Sequence, residues 1–250
     1  MTKKKNGFTL IEVLMALAVI GILSAIVTTN LRGVKDKARI NKGLEFSQGL
    51  YTSLGSNASL YFDFENVSGG TVADRSGNNN DALLINGASI VSAIVGSGVS
   101  FDGINDYLDL GIPLFKTYQE KFTVALWVYP NAIPATDQVI LHNLENGAFK
   151  IGYDHNGEFF FSYKGASTGW HTFSSGVMFP GKWYHVAVRW DETDNISQIF
   201  IDGATKNTVN PGEVLASDVG TPVIGAERQG AGVINNFNGI VDDVRAYIED

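Results

Sequence analysis

The chain has no cysteine among its 250 residues, and only six residues are proline. The lack of cysteine excludes disulfide bonds, so any folded domain must be stabilised by a hydrophobic core, with or without a metal ion. No proline lies between residues 8 and 54. An uninterrupted helix of more than forty residues is therefore possible in that stretch.

Positive charge is scarce in most of the chain. The formal net charge is −8; the first seven residues contribute +3, Glu12 −1 and residues 28–55 +3, which leaves −13 for residues 56–250. A surface that binds nucleic acid needs clustered Lys and Arg. The acidic part of the chain therefore argues against a nucleic-acid partner and is compatible with binding a hard cation.

One long apolar run is present, at residues 8–27, with Glu12 as its only charged residue and Lys3, Lys4 and Lys5 upstream. Twenty helical residues measure about 30 Å, the thickness of the bilayer's hydrocarbon core, and the lysines predict a cytoplasmic N-terminus. A secretory signal has a shorter core with its cleavage site after the core, whereas the only junction here, Gly7–Phe8, precedes it. We therefore predict a transmembrane segment at 8–27.

The segment KKKNGFTLIEVLMALAVIGILSAI resembles the N-terminus of type IV pilins and of type II secretion pseudopilins. The resemblance implies a leader, residues 1–7, which a prepilin peptidase removes after Gly7, and N-methylation of the new N-terminal Phe8. A carboxylate inside an apolar span is costly unless it is paired or functional. Cleavage would create an α-amino group one turn from Glu12, which could serve assembly. The alternative is that Glu12 reaches to the lipid headgroups.

The pattern remains helical to about residue 55, and from Ile40 onward apolar residues form one face that should pack on the domain that follows. From residue 56 the spacing of apolar residues changes from the helical period of 3.6 to the strand period of 2. Turn signals recur roughly every ten residues, which indicates an all-β sandwich. The clearest predicted strands are 60–64, 98–101, 107–110, 122–128, 138–142, 149–153, 158–163, 183–190, 198–201 and 239–247.

Five segments from residue 60 onward resemble, in this order, the laminin-G-like, concanavalin A-like superfamily: LYFDFENVSGGTVADRSGNNNDALLINGA, VSFDGINDYLDLG, FTVALWVYP, GKWYHVAVRWDETDNISQIFIDGATK and FNGIVDDVRAY. The resemblance implies two antiparallel sheets packed face to face. We predict an α+β chain: a long N-terminal helix at 8–55, which is transmembrane and later the filament core, followed by an all-β concanavalin A-like jelly-roll sandwich at 56–250.

Domains of this superfamily often hold a structural Ca²⁺ at the edge of the sandwich, and oxygen ligands are available in two regions here. On strand alternation Asp242 faces inward with Ile240 and Val244, where an unpaired carboxylate is costly. The resemblance implies a Ca²⁺ that joins Asp242 to the early segment; the alternative is a set of turn-forming residues with no metal. The candidate ligands are Asp63, Asp74, Asn78, Asn80, Asp81, Asp242 and Asp243.

A carbohydrate site would need an exposed aromatic ring flanked by polar groups, although aromatic residues of a sandwich are more often core residues. Hydrolysis of glycans by this superfamily commonly uses Glu-x-Asp-x-x-Glu, because two carboxylates about 5 Å apart must act together. Glu192-Thr193-Asp194 begins that motif, but Ser197 stands at its last position. We therefore predict that the chain is not an enzyme. The loop candidates for ligand binding are Tyr153, Asp154, His155, Trp170 and His171.

These observations predict a type IV pilin-like subunit, inserted in the bacterial inner membrane as a precursor and then built into an extracellular filament with copies of itself and other pilins. The β domain would face outward and mediate adhesion by binding a glycan or a surface protein. Three alternatives remain: a pseudopilin of a type II secretion system, an inert Ca²⁺-stabilised coat of the filament, and, more distantly, a glycan hydrolase.

Overall fold

The computed structural model describes residues 9–218 and 220–249, and within them not the side chains of 25–32. The predicted leader at 1–7, with its cleavage site at Gly7, and the predicted N-methylation site at Phe8 lie outside the described residues. The chain divides into two compact units, Met1–Asn41 and Lys42–Asp250. All strands belong to the second unit.

The N-terminal helix, α1, runs from Leu10 to Leu54 over 45 residues, and a short 3-10 helix follows at Gly55–Asn57. Apolar side chains from Leu10 to Leu23 are largely exposed. Among the described residues, none of the helical stretches has both the length and the hydropathy needed to cross a membrane. The predicted span at 8–27 includes Phe8 and side chains that lie outside the described residues, so it stays a prediction.

In the described residues, nineteen strands of two to eleven residues follow the helix. The first ten are β1 (Ala58–Phe62), β2 (Val67–Ser68), β3 (Thr71–Val72), β4 (Ala82–Ile85), β5 (Ser89–Ser92), β6 (Ser97–Asp102), β7 (Tyr107–Asp109), β8 (Lys121–Pro130), β9 (Gln138–Asn143) and β10 (Phe149–Tyr153). The others are β11 (Glu158–Gly165), β12 (Gly169–Val177), β13 (Tyr184–Asp191), β14 (Ile196–Ile201), β15 (Ala204–Val209), β16 (Val223–Ile224), β17 (Glu227–Gln229), β18 (Gly232–Ile234) and β19 (Asn238–Ile248).

The strands form two large antiparallel sheets. An eight-stranded sheet has the order β15-β14-β13-β8-β19-β6-β5, with β1 also paired to β19, and a nine-stranded sheet has the order β12-β11-β10-β9-β16-β7-β4-β3-β2. A separate hairpin is formed by β17 and β18. The long helix followed by an all-β sandwich confirms the predicted α+β fold class.

Aromatic rings from both sheets fill the core of the sandwich. Phe122 of β8 and Phe149 of β10 stack with their centroids 5.0 Å apart, and Phe115 and Phe161 extend the row. Each of these four rings is fully buried. Burial of this much apolar surface is the main stabilising term for a domain that has no disulfide.

The last strand, β19, carries a bulge at Asp242 and Asp243. Its pairing with β8 shifts register between Asp242 and Arg245, and Asp243 has a positive φ of 49°. Because a bulge adds one residue to a strand, it changes which side chains share a face. Val241 and Val244 both lie in the hydrophobic core, so Asp242 does not face inward with Val244 as strict alternation predicted.

Within the second unit, the last turns of α1 pack on the eight-stranded sheet. Gly43 lies directly over the Trp127 ring, and Phe46 contacts the His185 ring at a centroid distance of 5.7 Å. The Ser47 hydroxyl donates to the Asp243 carboxylate at 3.2 Å. These contacts bear out the expectation that the apolar face after Ile40 covers the following domain.

The ten strands expected from the sequence correspond to β1, β6 to β11, β13, β14 and β19. Strand β12, at the edge of the nine-stranded sheet, was not expected, because GWHTFSSGV contains few apolar residues. Trp170 and His171 therefore lie on a strand and not in a loop. An edge strand needs only one paired neighbour and one packed face, so its hydrophobic pattern is weak.

Two glycines of α1 give a matched test of helix packing. A Cβ added to Gly43 would lie 2.6 Å from a ring carbon of Trp127, whereas a Cβ at Gly49 meets nothing within 4 Å. Alanine exceeds glycine in helix propensity by about 1 kcal/mol at both sites. We expect Gly49→Ala to raise the free energy of unfolding by up to about 1 kcal/mol, and Gly43→Ala to lower it by up to about 2 kcal/mol, because the overpacking cost of about 1–3 kcal/mol exceeds the gain in propensity. Thermal unfolding of the full chain in detergent measures both; equal stabilisation would contradict the contact.

Candidate functional site

The densest group of predicted calcium ligands forms a loop that is held by hydrogen bonds. The Asp74 Oδ1 atom accepts the N–H groups of Tyr61 and Ser76 at 3.0 and 2.9 Å. Its Oδ2 accepts the Ser76 hydroxyl at 2.8 Å and the Asn80 N–H at 3.0 Å. Asp81 accepts the N–H of Asp74 at 2.9 Å. Four donors match the four acceptor sites of a carboxylate, so Asp74 organises the backbone of this loop.

The two asparagine candidates of the same loop act on strand β1. The Asn78 amide donates to the Ala58 carbonyl at 3.0 Å, and its oxygen accepts the Lys116 ammonium at 3.3 Å. The Asn80 amide donates to the Ser59 carbonyl at 2.9 Å. Both side chains therefore tie the loop to the first strand of the sandwich.

The remaining calcium candidates meet at the bulge of β19. Asp242 is fully buried; its Oδ2 accepts the Val95 N–H at 2.9 Å, whereas its Oδ1 has no partner among the described residues. Burial raises the pKa of Asp242 to about 7, and the carboxylates of Asp243 and Glu65 add to the rise. A cavity of about 150 Å³ adjoins the group and is lined by Tyr61, Asp63, Glu65, Val95, Asp242 and Asp243.

Two of the carboxylates at this cavity already have cationic partners. Asp243 pairs with Arg245 at 2.7 Å, and Asp63 pairs with Arg75 at 3.3 Å. Within the described residues, no three His, Asp or Glu side chains form a group that could hold a metal ion. Asp242 is therefore the candidate ligand whose buried oxygen still lacks a partner.

The predicted ligand-binding residues are divided between the two ends of strand β11. Asp154 and His155 lie in the turn between β10 and β11, whereas Trp170 and His171 follow the turn between β11 and β12. Strand β11 has eight residues, and at ~3.4 Å per residue it separates the two turns by roughly 24 Å. The five residues therefore cannot line one small-ligand site.

At the first end, the candidates serve the fold. Tyr153 lies on β10 and is fully buried, which corrects its assignment to an exposed loop; its hydroxyl donates to the Met178 carbonyl at 2.5 Å. Asp154 accepts the N–H groups of Asn156 and Glu158 and shapes the turn. His155 is exposed and contacts Asp137 at 2.7 Å, and this hydrogen bond raises the pKa of His155.

At the other end, Trp170 presents a partly exposed ring. Its side chain is 40% exposed, and the Lys150 ammonium lies over the ring at 4.3 Å from the centroid. His171 is on the opposite side of β12, where its ring stacks on Tyr163 at 5.2 Å. Trp170 and His171 thus lie on opposite sides of the strand, and the His171 side chain is also 41% exposed.

Five residues form what we call the Trp170 cluster: Trp170, Lys150, His142, Glu227 and Arg228. Lys150 lies directly opposite His142 in the pairing of β10 with β9, and its ammonium pairs with Glu227 of β17. The His142 ring lies 6.1 Å from the Trp170 ring. The Arg228 N–H donates to His142 Nδ1 at 3.1 Å. Burial lowers the pKa of His142 to about 4, and the Lys150 charge adds to this effect.

Sequence reasoning found Trp170 but not its neighbours. Lys150 could have been found, because it alternates with the core residues Phe149 and Ile151 and so must point outward. Glu227 and Arg228 come from a three-residue strand that has no hydrophobic pattern. Their position beside Trp170 is a result of the tertiary fold.

One group of polar side chains near Trp170 has the residue types of a hydrolytic triad. Thr168 hydrogen bonds to His171 Nε2, and Glu213 lies 3.2 Å from the same nitrogen. In a triad the carboxylate binds the other ring nitrogen, so that it orients the histidine as a base. The geometry of this group therefore does not match a triad.

At the start of α1, Glu12 is engaged by its own chain. Its Oε2 accepts both the N–H and the hydroxyl of Thr9 at 2.8 Å, and the Thr9 hydroxyl accepts the Glu12 N–H at 3.3 Å. This is a capping box, which satisfies N–H groups that have no partner within the helix. The predicted pairing with the α-amino group of Phe8 lies outside the described residues.

The architecture is that of a lectin-type β-sandwich that follows a long helix in the chain. Residues 101–249 match the family described as the concanavalin A-like lectin/glucanases superfamily, and residues 2–28 match the prokaryotic N-terminal methylation motif. The first match covers more than half of the chain, so the chain belongs to the concanavalin A-like lectin/glucanases superfamily. The second indicates a pilin- or pseudopilin-type subunit. Both confirm the fusion expected from the sequence.

Solved structures with this fold include binding domains and enzymes. The binding domain of Paraclostridial Mosquitocidal Protein 1 aligns with a TM-score of 0.61 at 13% identity, over 78% of this chain and 49% of that one, so this chain spans about half its length. Domain 4 of the Geobacillus stearothermophilus arabinanase AbnA, in complex with arabinotriose, aligns with a TM-score of 0.59 at 16% identity, over 77% of this chain and 92% of that one.

A Trypanosoma rangeli sialidase aligns with a TM-score of 0.54 at 23% identity, over 75% of this chain and 30% of that one. At these identities the likeness concerns the fold alone. No curated protein matches this chain.

Proposed function

We propose that this protein is a subunit of a type IV pilus-like filament and that its β domain binds carbohydrate at the Trp170 cluster, which would make the filament adhesive. The N-terminal motif indicates a membrane-anchored precursor that is processed by a prepilin peptidase and later assembled outside the cell with other pilins. The β domain belongs to a superfamily that is named for its lectins and glucanases.

The observation that carries the proposal is the exposed Trp170 ring among polar groups. An aromatic ring offers an apolar surface to the C–H face of a sugar, while nearby hydrogen-bonding groups fix the hydroxyls. Trp170 has such groups on one side of it, in Lys150 and His142. The arabinotriose complex of the similar arabinanase domain is consistent with a sandwich of this type holding a saccharide.

Three other functions make different predictions. A pseudopilin would be required for secretion by a type II system and would not form abundant surface filaments. An inert Ca²⁺-stabilised coat would form filaments that bind no glycan. A hydrolase would release products from a glycan panel, and the Thr168, His171 and Glu213 arrangement does not support that activity.

Replacing Trp170 with alanine tests the carbohydrate site. We expect Trp170→Ala to weaken retention of purified filaments on the polysaccharides that bind the wild type by at least about tenfold, because the apolar platform is lost. Phe179→Ala is the matched control, since Phe179 is 66% exposed and outside the Trp170 cluster. Affinity electrophoresis measures both variants. Equal retention of Trp170→Ala and wild type would rule out this site.

Glu12 tests the assembly role of the helix. We expect Glu12→Ala to reduce incorporation into filaments severely, because both the capping box with Thr9 and the carboxylate available to a cleaved N-terminus are lost. Glu45→Ala, at an exposed carboxylate of the same helix, should assemble normally. The readout is the amount of subunit in sheared filaments relative to the amount in membranes. Normal incorporation of Glu12→Ala would be incompatible with this role.

We also propose that Ca²⁺ binds in the cavity at Asp242 and not in the 74–81 loop. The unpartnered, buried Oδ1 of Asp242 supports this assignment, whereas the oxygens of Asp74 are taken by hydrogen bonds. Asp242 would be the principal ligand; Glu65 lines the same cavity, whereas Asp63 is paired with Arg75. A cation there would neutralise a carboxylate that burial otherwise keeps costly.

The pH dependence of stability tests this proposal. Because the folded pKa of Asp242, about 7, exceeds the unfolded value of 3.8, the folded protein binds more protons in that window and its stability falls as pH rises through it. We expect Asp242→Asn to remove this fall and Ca²⁺ to raise the melting temperature of the wild type at pH 8. Asp194→Asn, at an exposed carboxylate, is the control. A wild-type melting temperature that neither Ca²⁺ nor chelator changes would argue against the cation.

A further inference from the structure

His142 has a defined tautomer and an unused donor. Its side chain is 2% exposed, and its Nδ1 accepts the backbone N–H of Arg228 at 3.1 Å. A backbone N–H can only donate, so Nδ1 must be the acceptor nitrogen, and the neutral ring carries its hydrogen on Nε2. Nε2 is buried and has no hydrogen-bond partner among the described residues.

A buried donor without a partner is costly. Native proteins keep few such groups, because a desolvated donor loses its hydrogen bonds to water. The hydrogen bond from Arg228 uses only Nδ1 and leaves Nε2 without a role in the described fold. An acceptor outside the described chain, next to the partly exposed Trp170 ring, would satisfy this N–H.

The surroundings of Nε2 define the kind of acceptor. Each cation of the Trp170 cluster already has a carboxylate: Lys150 pairs with Glu227, and Arg228 with Asp109 at 2.8 Å. His142 itself is neutral near pH 7, since burial lowers its pKa to about 4. The cluster therefore has no unpaired positive charge that would attract an anionic group. The Nε2–H of His142 still lacks an acceptor, and an uncharged oxygen would satisfy it.

The Lys150 side chain, which lies over the Trp170 ring where a ligand would pack, is flexible. Lys150 lies across from His142 on the neighbouring strand, and its ammonium extends over the Trp170 ring. A lysine side chain has four rotatable bonds, and a cation–π contact at a partly exposed site contributes little to stability. A ligand that displaces Lys150 from the Trp170 ring also has to displace it from its ion pair with Glu227.

We propose that the Nε2–H of His142 donates a hydrogen bond to a hydroxyl or ring oxygen of a neutral saccharide whose C–H face packs on Trp170, and that the site disfavours carboxylated sugars because its cations are already paired with carboxylates. This inference rests on the proposed function, because it assigns the ligand class at the same site. His142 is then a specificity-determining residue that is kept in spite of its cost to stability.

Two substitutions separate the two ring nitrogens. His142→Asn places an amide oxygen near the position of Nδ1, so it can still accept the Arg228 N–H, but it has no donor at the position of Nε2. His142→Gln places its amide near Nε2 instead. We expect His142→Asn to lose at least about tenfold in affinity for the neutral oligosaccharide that binds best, with a melting temperature close to that of the wild type, and His142→Gln to recover part of the binding.

The other buried histidine of the sheet system is the matched control. Both ring nitrogens of His185 lack partners among the described residues, and its ring lies between Phe46 and Trp127 in the second unit. His185→Gln removes a buried imidazole far from Trp170 in the fold. Its saccharide affinity should equal that of the wild type, whatever its melting temperature.

The experiment uses full-length subunits in filaments and calorimetric titration with arabinotriose, cellotriose, galactotriose, sialyllactose and a trigalacturonate. The inference would be overturned if His142→Asn bound with wild-type affinity, or if its loss of affinity only followed a fall in melting temperature. In either case, weakened binding by Trp170→Ala would still support the carbohydrate site itself. Tighter binding of the carboxylated sugars would overturn the ligand class. Binding of none of the five, or wild-type affinity of Trp170→Ala, would overturn the proposed function itself.

Discussion

The hydrogen bonding of strand β19 is the constraint on which the sandwich depends. This one strand pairs with β8 along one side, and with β6 and then β1 along the other. The change of partner occurs at the bulge, where Asp242 and Asp243 leave the regular ladder. A bulge is tolerated only if the displaced groups are satisfied, and Arg245 and Ser47 provide this for Asp243. The same bulge thus creates both the attachment point of the helix and the acidic cavity.

The sequence was sufficient to predict the helix and the central strands, because each has a strong pattern. Strand β8 is almost continuously apolar, as expected for a strand covered on both faces. The sequence did not predict which residues of β19 face the core, because Asp242-Asp243 is compatible both with regular alternation and with a bulge. Edge strands such as β12 and the pair β17 and β18 are short or polar, and tertiary pairing decides whether they form.

The candidate site, like the fold, was predictable only in part from the sequence. Trp170 was recognisable as a possible ring platform, and Asp242 as a carboxylate needing a partner, from residue type alone. The sequence did not show which ligand-binding candidates lie together: Asp154 and His155 are at one end of β11, and Trp170 is at the other. The partners that matter for Trp170 are distant in sequence: His142 and Lys150 on preceding strands and Glu227 on a later hairpin. Sequence spacing carries no information about such pairings.

The contact of Gly43 with Trp127 has a mechanical consequence. A pilin-type subunit is held by its helix, so tension on the β domain is transmitted through residues 43–54 to the sheet on which they pack. Separation of these residues from the sheet breaks both the Phe46–His185 contact and the Ser47–Asp243 hydrogen bond. Contacts that must break simultaneously resist force better than contacts that break one after another. The contacts of residues 43–54 with the sheet therefore oppose separation of the helix end from the β domain.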